Sequence, residues 1–200
     1  MEKIKLDLNN FSKEEVSHIS DLLKDGKVAA IPTDTIYGLS CVATDKDAVK
    51  KLYRIKRMKK EKTSLVLMKS FCMVREYCYL NSDQYEYIKD SFSEKRPITF
   101  ILNGRDNLPE HFINSEGGVA IRIPQTSGFT RDLLKKISLP LASTSLNITG
   151  GRPVNHVDDL DQYFKKGRPH FVVDVGVISD KRASKIVDIR DMDKIKIIRD

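Results

Sequence analysis

A chain of 200 residues, 40% of them hydrophobic, can bury one sizeable core, so a single domain over residues 1–200 is the expectation. Thirty-five Lys and Arg stand against 28 Asp and Glu, and the three cysteines (Cys41, Cys72, Cys78) are odd in number without metal-ligand spacing, which argues against a disulfide framework or a zinc site. The charged start MEKIKLDLNN has no apolar centre and reads as no signal peptide, and no apolar run is long enough to cross a membrane, so the expected location is cytoplasmic.

In chain order, Ser12 with Glu15 forms a capping box, Val16, Ile19, Leu22 and Leu23 recur at helical spacing, and Gly26 stops that helix. KVAAIP (27–32) and TIYGLSCVA (35–43) read as strands. Thr44, with Asp47 three residues on, opens a helix whose apolar stripe is Ala48, Val49, Leu52 and Tyr53. TSLVLM (63–68) is a strand, residues 70–78 are helical, and Ser82 caps a helix to about residue 91. PITFILN (97–103) and GVAIRIP (118–124) are strands, residues 127–137 a helix, PLASTS (140–145) a strand and residues 157–166 a helix. HFVVDVG (170–176), SKIVDIR (184–190) and KIKIIRD (194–200) close the chain as strands. Helices and strands alternate, with some consecutive strands, which implies an α/β fold with an open, twisted, mixed sheet.

The charge is concentrated. KKLYRIKRMKKEK (50–62) holds eight basic residues and one acid; without it the 35 basic residues fall to 27 and the 28 acidic ones to 27. The whole excess therefore marks one local anion site. Lys56 continues the inward stripe of its helix, where a lysine must meet an anion or snorkel; Lys50, Lys51 and Lys59 read as a solvated face.

Three stretches crowd polar groups at strand ends. Thr33, Asp34, Thr35 and Tyr37 follow Pro32, and Gly38 permits close backbone approach; a tight turn alone would explain the pattern as well. Arg122 interrupts the apolar strand VAIRIP and shares a face with Ala120, either on a solvated sheet face or as a bidentate clamp for carboxylate or phosphate. STSLNITGG (143–151) sets more hydroxyl and amide side chains in a row than a turn needs. No P-loop or dinucleotide fingerprint is present, and the four histidines are scattered.

Together PTDTIYGL (32–39), Lys56 to Lys62, PITFIL (97–102), VAIRIP (119–124), STSLNITG (143–150) and SKIVDI (184–189) resemble, in order and spacing, the YrdC-like family, and within it the threonylcarbamoyl-AMP synthases. The resemblance spans nearly the whole chain. It implies an open twisted sheet enclosing a concave basic cleft, and an enzyme joining L-threonine, bicarbonate and ATP, with Mg2+, into threonylcarbamoyl-AMP and pyrophosphate. tRNA and a downstream threonylcarbamoyl transferase are the implied partners. By motif position, Thr33, Arg122, Ser143 and Ser184 would bind threonine. Lys56, Arg57, Lys62, Ser145, Asn147 and Arg199 would bind the nucleotide, with Lys56 and Arg122 central to catalysis. No protein metal ligands are implied. Longer relatives carry an extra C-terminal domain, for which no room is expected after Arg199.

The chain departs from the family pattern in four places: Met58 replaces the arginine of KxR, Thr63-Ser64 follows Lys62 in place of PL, Leu146 replaces a smaller alanine, and Lys185 follows Ser184 in place of threonine. Arg57 is the expected stand-in for the missing arginine. STSL and NLPEHF also resemble the YciO-like branch, which makes an RNA- or nucleotide-binding protein without this activity the competing expectation.

Overall fold

The computed structural model describes residues 1–57, 64–94, 96–124, 128–148, 151, 154, 156–160, 164, 167–178 and 183–200. Among these, ten strands form one sheet: β1 Glu2–Lys5, β2 Ala29–Pro32, β3 Tyr37–Val42, β4 Leu65–Leu67, β5 Ile98–Asn103, β6 Gly118–Arg122, β7 Leu141–Ser145, β8 Phe171–Asp174, β9 Lys185–Asp188 and β10 Lys196–Arg199. Their order is β1-β8-β2-β3-β7-β4-β6-β5-β9-β10, so the sheet is open, with β1 and β10 at its edges. It is mixed, as expected: β1/β8, β2/β8, β4/β6 and β5/β9 run parallel, the other neighbours antiparallel.

The helices are α1 Lys13–Lys24, α2 Lys46–Lys56, α3 Phe71–Tyr77, α4 Ser82–Asp90 and α5 Phe129–Ile137. The capping box of α1 is present: Ser12 Oγ accepts from Glu15 N at 3.1 Å, and Glu15 Oε2 accepts from Ser12 N at 2.7 Å. Val16, Ile19, Leu22 and Leu23 are buried, each worth roughly 1.5–3 kcal/mol of transfer free energy. Two cores result, one on each face of the sheet. Ala29 and Ile31 of β2 pack with α1 and α5; Val28 and Ala30, their alternates, pack with α2 and α3. Gly38, Ser40 and Ser143 stand in register with Ile31, Ala29 and Leu65, and so lie on the face that α1 and α5 cover only in part.

Several boundaries differ from expectation. Asp45, not Thr44, caps α2, because its carboxylate reaches both Asp47 N and Ala48 N at 3.0 Å. Asn81, not Ser82, caps α4, in a capping box with Gln84. The stretch from 157 opens as a short 3-10 turn, Val157–Asp159, and residues 161–163 and 165–166 of the expected helix lie outside the described residues. β1 was not legible: Glu2, Lys3 and Lys5 are charged and exposed and only Ile4 is half-buried, so its parallel pairing with β8 is what makes it a strand.

Candidate functional site

On the partly covered face, a cavity of about 210 Å3 opens where the ends of β2, β3, β6 and β7 meet β5, β9 and β10. Among the described residues its lining is rich in hydroxyl groups, including Thr33, Thr35, Thr99, Ser143, Thr144, Ser145 and Ser184, with two cations, Arg122 and Arg199. Hydroxyls outnumber charges in this lining, and residues 58–62 of the basic segment lie outside the described residues.

The polar groups are held by interior strands. Ser143 is buried and accepts a 3.0 Å hydrogen bond from Ser40 Oγ. Gly38 makes this convergence possible: a Cβ there would stand 2.6 Å from Ser143 Oγ and 3.0 Å from Thr33 Cγ2. Thr33 Oγ1 donates to Ile36 O at 2.6 Å and accepts from Thr35 N at 3.2 Å, which fixes the turn between β2 and β3. Tyr37 donates to Gly176 O and accepts from Val175 N, both at 2.9 Å. Burial pushes its hydroxyl up to about 12, so it stays neutral at physiological pH.

Arg122 is buried, not on a solvated face. Its Nη2 lies 2.8 Å from Asp34 Oδ1 and 3.4 Å from Thr35 Oγ1. The approach of Asp34 is off the hydrogen-bond axis: neither its Oδ1 nor Arg122 Nε has an aligned hydrogen-bond partner among the described residues. Burial pushes the guanidinium below its ordinary value, Asp34 pulls it up, and Arg199 pushes it down further. Arg122 and Arg199 both line the cavity, so the two cations share one neighbourhood.

Lys56 ends α2 facing inward, as its place on the stripe predicts, and is buried. It neither snorkels nor relies on an anion alone: Nζ donates to Ser145 O, to Asn147 Oδ1 and, at 3.0 Å, to Ser145 Oγ. Ser145 Oγ donates to Asn147 Oδ1 at 2.7 Å, and Asn147 Nδ2 donates to Gly151 O at 2.6 Å. One knot thus joins the C-terminus of α2 to the end of β7, and Ser145 carries it to the cavity.

At the far wall, Ser184 Oγ and Thr99 Oγ1 are 2.7 Å apart, and Arg199 grips Ser184 O through Nε at 3.0 Å and Nη2 at 2.7 Å. Burial, with Arg96 nearby, pushes the Arg199 guanidinium down.

Of the expected site residues, Thr33, Arg122, Ser143, Ser145, Ser184 and Arg199 line the cavity, and Lys56 and Asn147 join it through Ser145. Arg57 sits exposed at the end of α2 in the left-handed conformation, φ 51°. Lys62 and Met58 lie outside the described residues. Thr99 was missed in the sequence; its signal was a lone hydroxyl within the apolar PITFIL. The pairing of Asp34 with Arg122 left no signal, since 87 residues of chain separate Thr35 from that arginine.

The Sua5_yciO_yrdC family model, described as telomere recombination, matches residues 21–200. A Methanocaldococcus jannaschii protein is 32% identical over 194 residues, 94% of this chain and 88% of its own length. The threonylcarbamoyl-AMP synthase of Hydrogenovibrio crunogenus is 30% identical over 139 residues, 68% of this chain and 74% of its own length. Among solved structures, Escherichia coli YciO shares the fold with a TM-score of 0.85 at 20% identity, over 100% of this chain and 96% of that one. Pyrococcus abyssi Sua5 complexed with L-threonine does so with a TM-score of 0.80 at 21% identity, over 94% of this chain and 53% of that longer one. With the motifs, the fold and the matched length in agreement, the chain belongs to the Sua5/YciO/YrdC family.

Proposed function

We propose that this protein is a threonylcarbamoyl-AMP synthase, an enzyme that makes threonylcarbamoyl-AMP and pyrophosphate from L-threonine, bicarbonate and ATP. The observation that carries this reading is the convergence of Arg122, Ser143, Ser145 and Ser184, from two strands and the entry to a third, on one cavity tied to Lys56. The synthase name of the Hydrogenovibrio crunogenus relative and the L-threonine bound by Pyrococcus abyssi Sua5 support it. A nucleotide- or RNA-binding role without turnover is not favoured, since likeness to YciO at 20% identity speaks to the fold alone.

The threonine amine condenses with bicarbonate, losing water, to give a carbamate. A carbamate oxygen attacks the α-phosphorus of ATP in line, the α–β anhydride bond breaks, and pyrophosphate leaves. No protein nucleophile is needed; positioning and charge neutralisation carry the step. Arg122 takes the threonine carboxylate, with Thr33, Ser143 and Ser184 around the rest of the amino acid. Lys56 neutralises charge on the ATP phosphates beside Ser145 and Asn147, with Arg57, Lys62 and Arg199 as further nucleotide contacts. Magnesium enters with the ATP phosphates as part of the substrate, and hydroxyl oxygens such as that of Ser145 suit such a hard ion. The product serves tRNA modification through a downstream threonylcarbamoyl transferase. We place the enzyme in the cytoplasm, where its free cysteines, including exposed Cys72, remain reduced.

The test is pyrophosphate release by the purified protein. It should require threonine, bicarbonate and ATP together; release that persists without threonine, or none with all three, would overturn the assignment.

A further inference from the structure

Asp34 carries none of the roles assigned above, yet it is the acidic partner of the buried arginine in the site. We infer that Asp34 is a positioning residue for substrate: it holds the Arg122 guanidinium in the orientation that presents it to the amino-acid carboxylate. The inference rests on reading Arg122 as the threonine clamp.

Three observations carry it. The Asp34 side chain is 6% exposed and that of Arg122 4%, so the attraction acts in a region poor in water. Thr33, Thr35 and Arg122 line the cavity whereas Asp34 is not part of that lining. The turn between β2 and β3 therefore shows its two threonines to the ligand space and turns the carboxylate between them toward the arginine. Thr33 locks this arrangement through its bonds to Ile36 O and Thr35 N. Asp34 thus approaches from behind the ligand space and does not compete within it.

The third observation concerns the geometry of the pair. Asp34 Oδ1 lies 2.8 Å from Nη2 but accepts no aligned hydrogen bond, and the N–H of Arg122 Nε, also buried, meets no acceptor among the described residues. Asp34 compensates the buried charge without using the N–H directions that bidentate carboxylate recognition needs. An arginine on a mobile stem would lose side-chain entropy on meeting its ligand; one held in advance does not.

L-threonine binding, measured calorimetrically on the full chain without ATP, tests this with Asp34→Asn, Asp34→Glu, Arg122→Met and the double variant Asp34→Asn/Arg122→Met. Asp34→Asn should weaken threonine about tenfold or more while ATP affinity stays within about twofold. Asp34→Glu, which keeps the charge but moves it by a methylene, should fall between wild type and Asp34→Asn. In the Arg122→Met background, Asp34→Asn should have no further effect, because it acts through the arginine. Unchanged or tighter threonine binding in Asp34→Asn, or losses that multiply in the double variant, would overturn the inference. Should Asp34→Asn fail to fold with its arginine left unpaired, Asp34→Glu decides: unchanged affinity there overturns it equally. If Arg122→Met itself leaves threonine affinity intact, the clamp reading fails, a signature distinct from failure of Asp34 alone.

Discussion

The cavity has two walls built in different ways. The central wall lies on β3, β7 and β6, interior strands paired on both sides, and Thr33, Ser143 and Arg122 on or beside it are nearly inaccessible. The edge wall lies on β9 and β10, where Ser184 is buried but β10 is the outermost strand, with Ile197 60% and Ile198 56% exposed. In the centre, backbone pairing fixes the polar groups. At the edge a side chain does so, as Arg199 reaches back to hold Ser184 O. Central substitutions should therefore disturb stability and chemistry together, and edge substitutions should separate them.

The largest effect is expected at Lys56. Removing Nζ in Lys56→Ala takes one donor each from Ser145 O, Ser145 Oγ and Asn147 Oδ1 and, on the proposed role, a cation from the ATP phosphates. Loss of one such stabilising group should lower kcat by roughly 100- to 1,000-fold. The loss of these donors, which leaves Asn147 Oδ1 only its bond from Ser145 Oγ, should also cost about 1–3 kcal/mol of stability, measurable by urea unfolding. Lost activity with unchanged stability would break the equation of central with coupled.

Arg122→Lys comes next. A lysine keeps the charge but not the fork, so the threonine KM should rise about 10- to 100-fold while the ATP KM changes little. Steady-state kinetics with each substrate varied would show it; equal effects on both substrates would remove the clamp role. Gly38→Ala tests the same wall by crowding it. The new methyl meets Ser143 and Thr33, both confined, so about 1–3 kcal/mol of stability should be lost along with threonine affinity. Calorimetric unfolding and threonine titration of one preparation would report both.

How much of this was legible beforehand follows the same division. Alternation along β6 placed Ala120 and Arg122 on one face, and helical spacing turned Lys56 inward; both held because local periodicity decides which way a side chain points. What the alternation could not give was the depth of burial of Arg122, because that depends on Asp34, far away in sequence. Lys56 was expected to meet an anion or snorkel, and the neutral oxygens that receive it come from the end of β7, joined only by the sheet order. The caps at Asp45 and Asn81 were each misplaced by one residue, since Thr44 and Ser82 are equally plausible cap residues by type and only the backbone at the helix start discriminates.

At the edge wall, Ser184→Ala removes a hydroxyl that meets Thr99, and Arg199→Lys removes a two-point grip on Ser184 O. Each should cost about 1 kcal/mol of stability, because Ser184 and Thr99, although buried, line the cavity, where water can take the place of the lost partner. Ser184→Ala should weaken threonine by a few-fold, roughly the worth of one neutral hydrogen bond. A loss as large as that of Arg122→Lys would mean that the edge is as constrained as the centre.

The smallest effect concerns Arg57, outside both walls. It stands in the left-handed conformation, φ 51° and ψ 44°, with its N–H bonded back to Tyr53 O and Arg54 O, so its backbone closes α2 whatever its side chain does. Such a conformation costs a non-glycine residue about 1–2 kcal/mol. Ser138 closes α5 in the same conformation, φ 56°, so the strain by itself assigns no role; the role proposed for the Arg57 side chain is contact with the ATP phosphates in place of the arginine that the family pattern has at Met58. Two variants separate backbone from charge. Arg57→Ala keeps the strain and removes the cation, so ATP affinity should drop about tenfold with little change in stability. Arg57→Gly removes both, so affinity should drop equally while stability rises by about 1 kcal/mol. ATP titration and denaturant unfolding of the two variants side by side would decide between the roles. Wild-type ATP affinity in both would reduce Arg57 to a helix cap, and a tenfold loss in both would make it the cation that compensates for Met58.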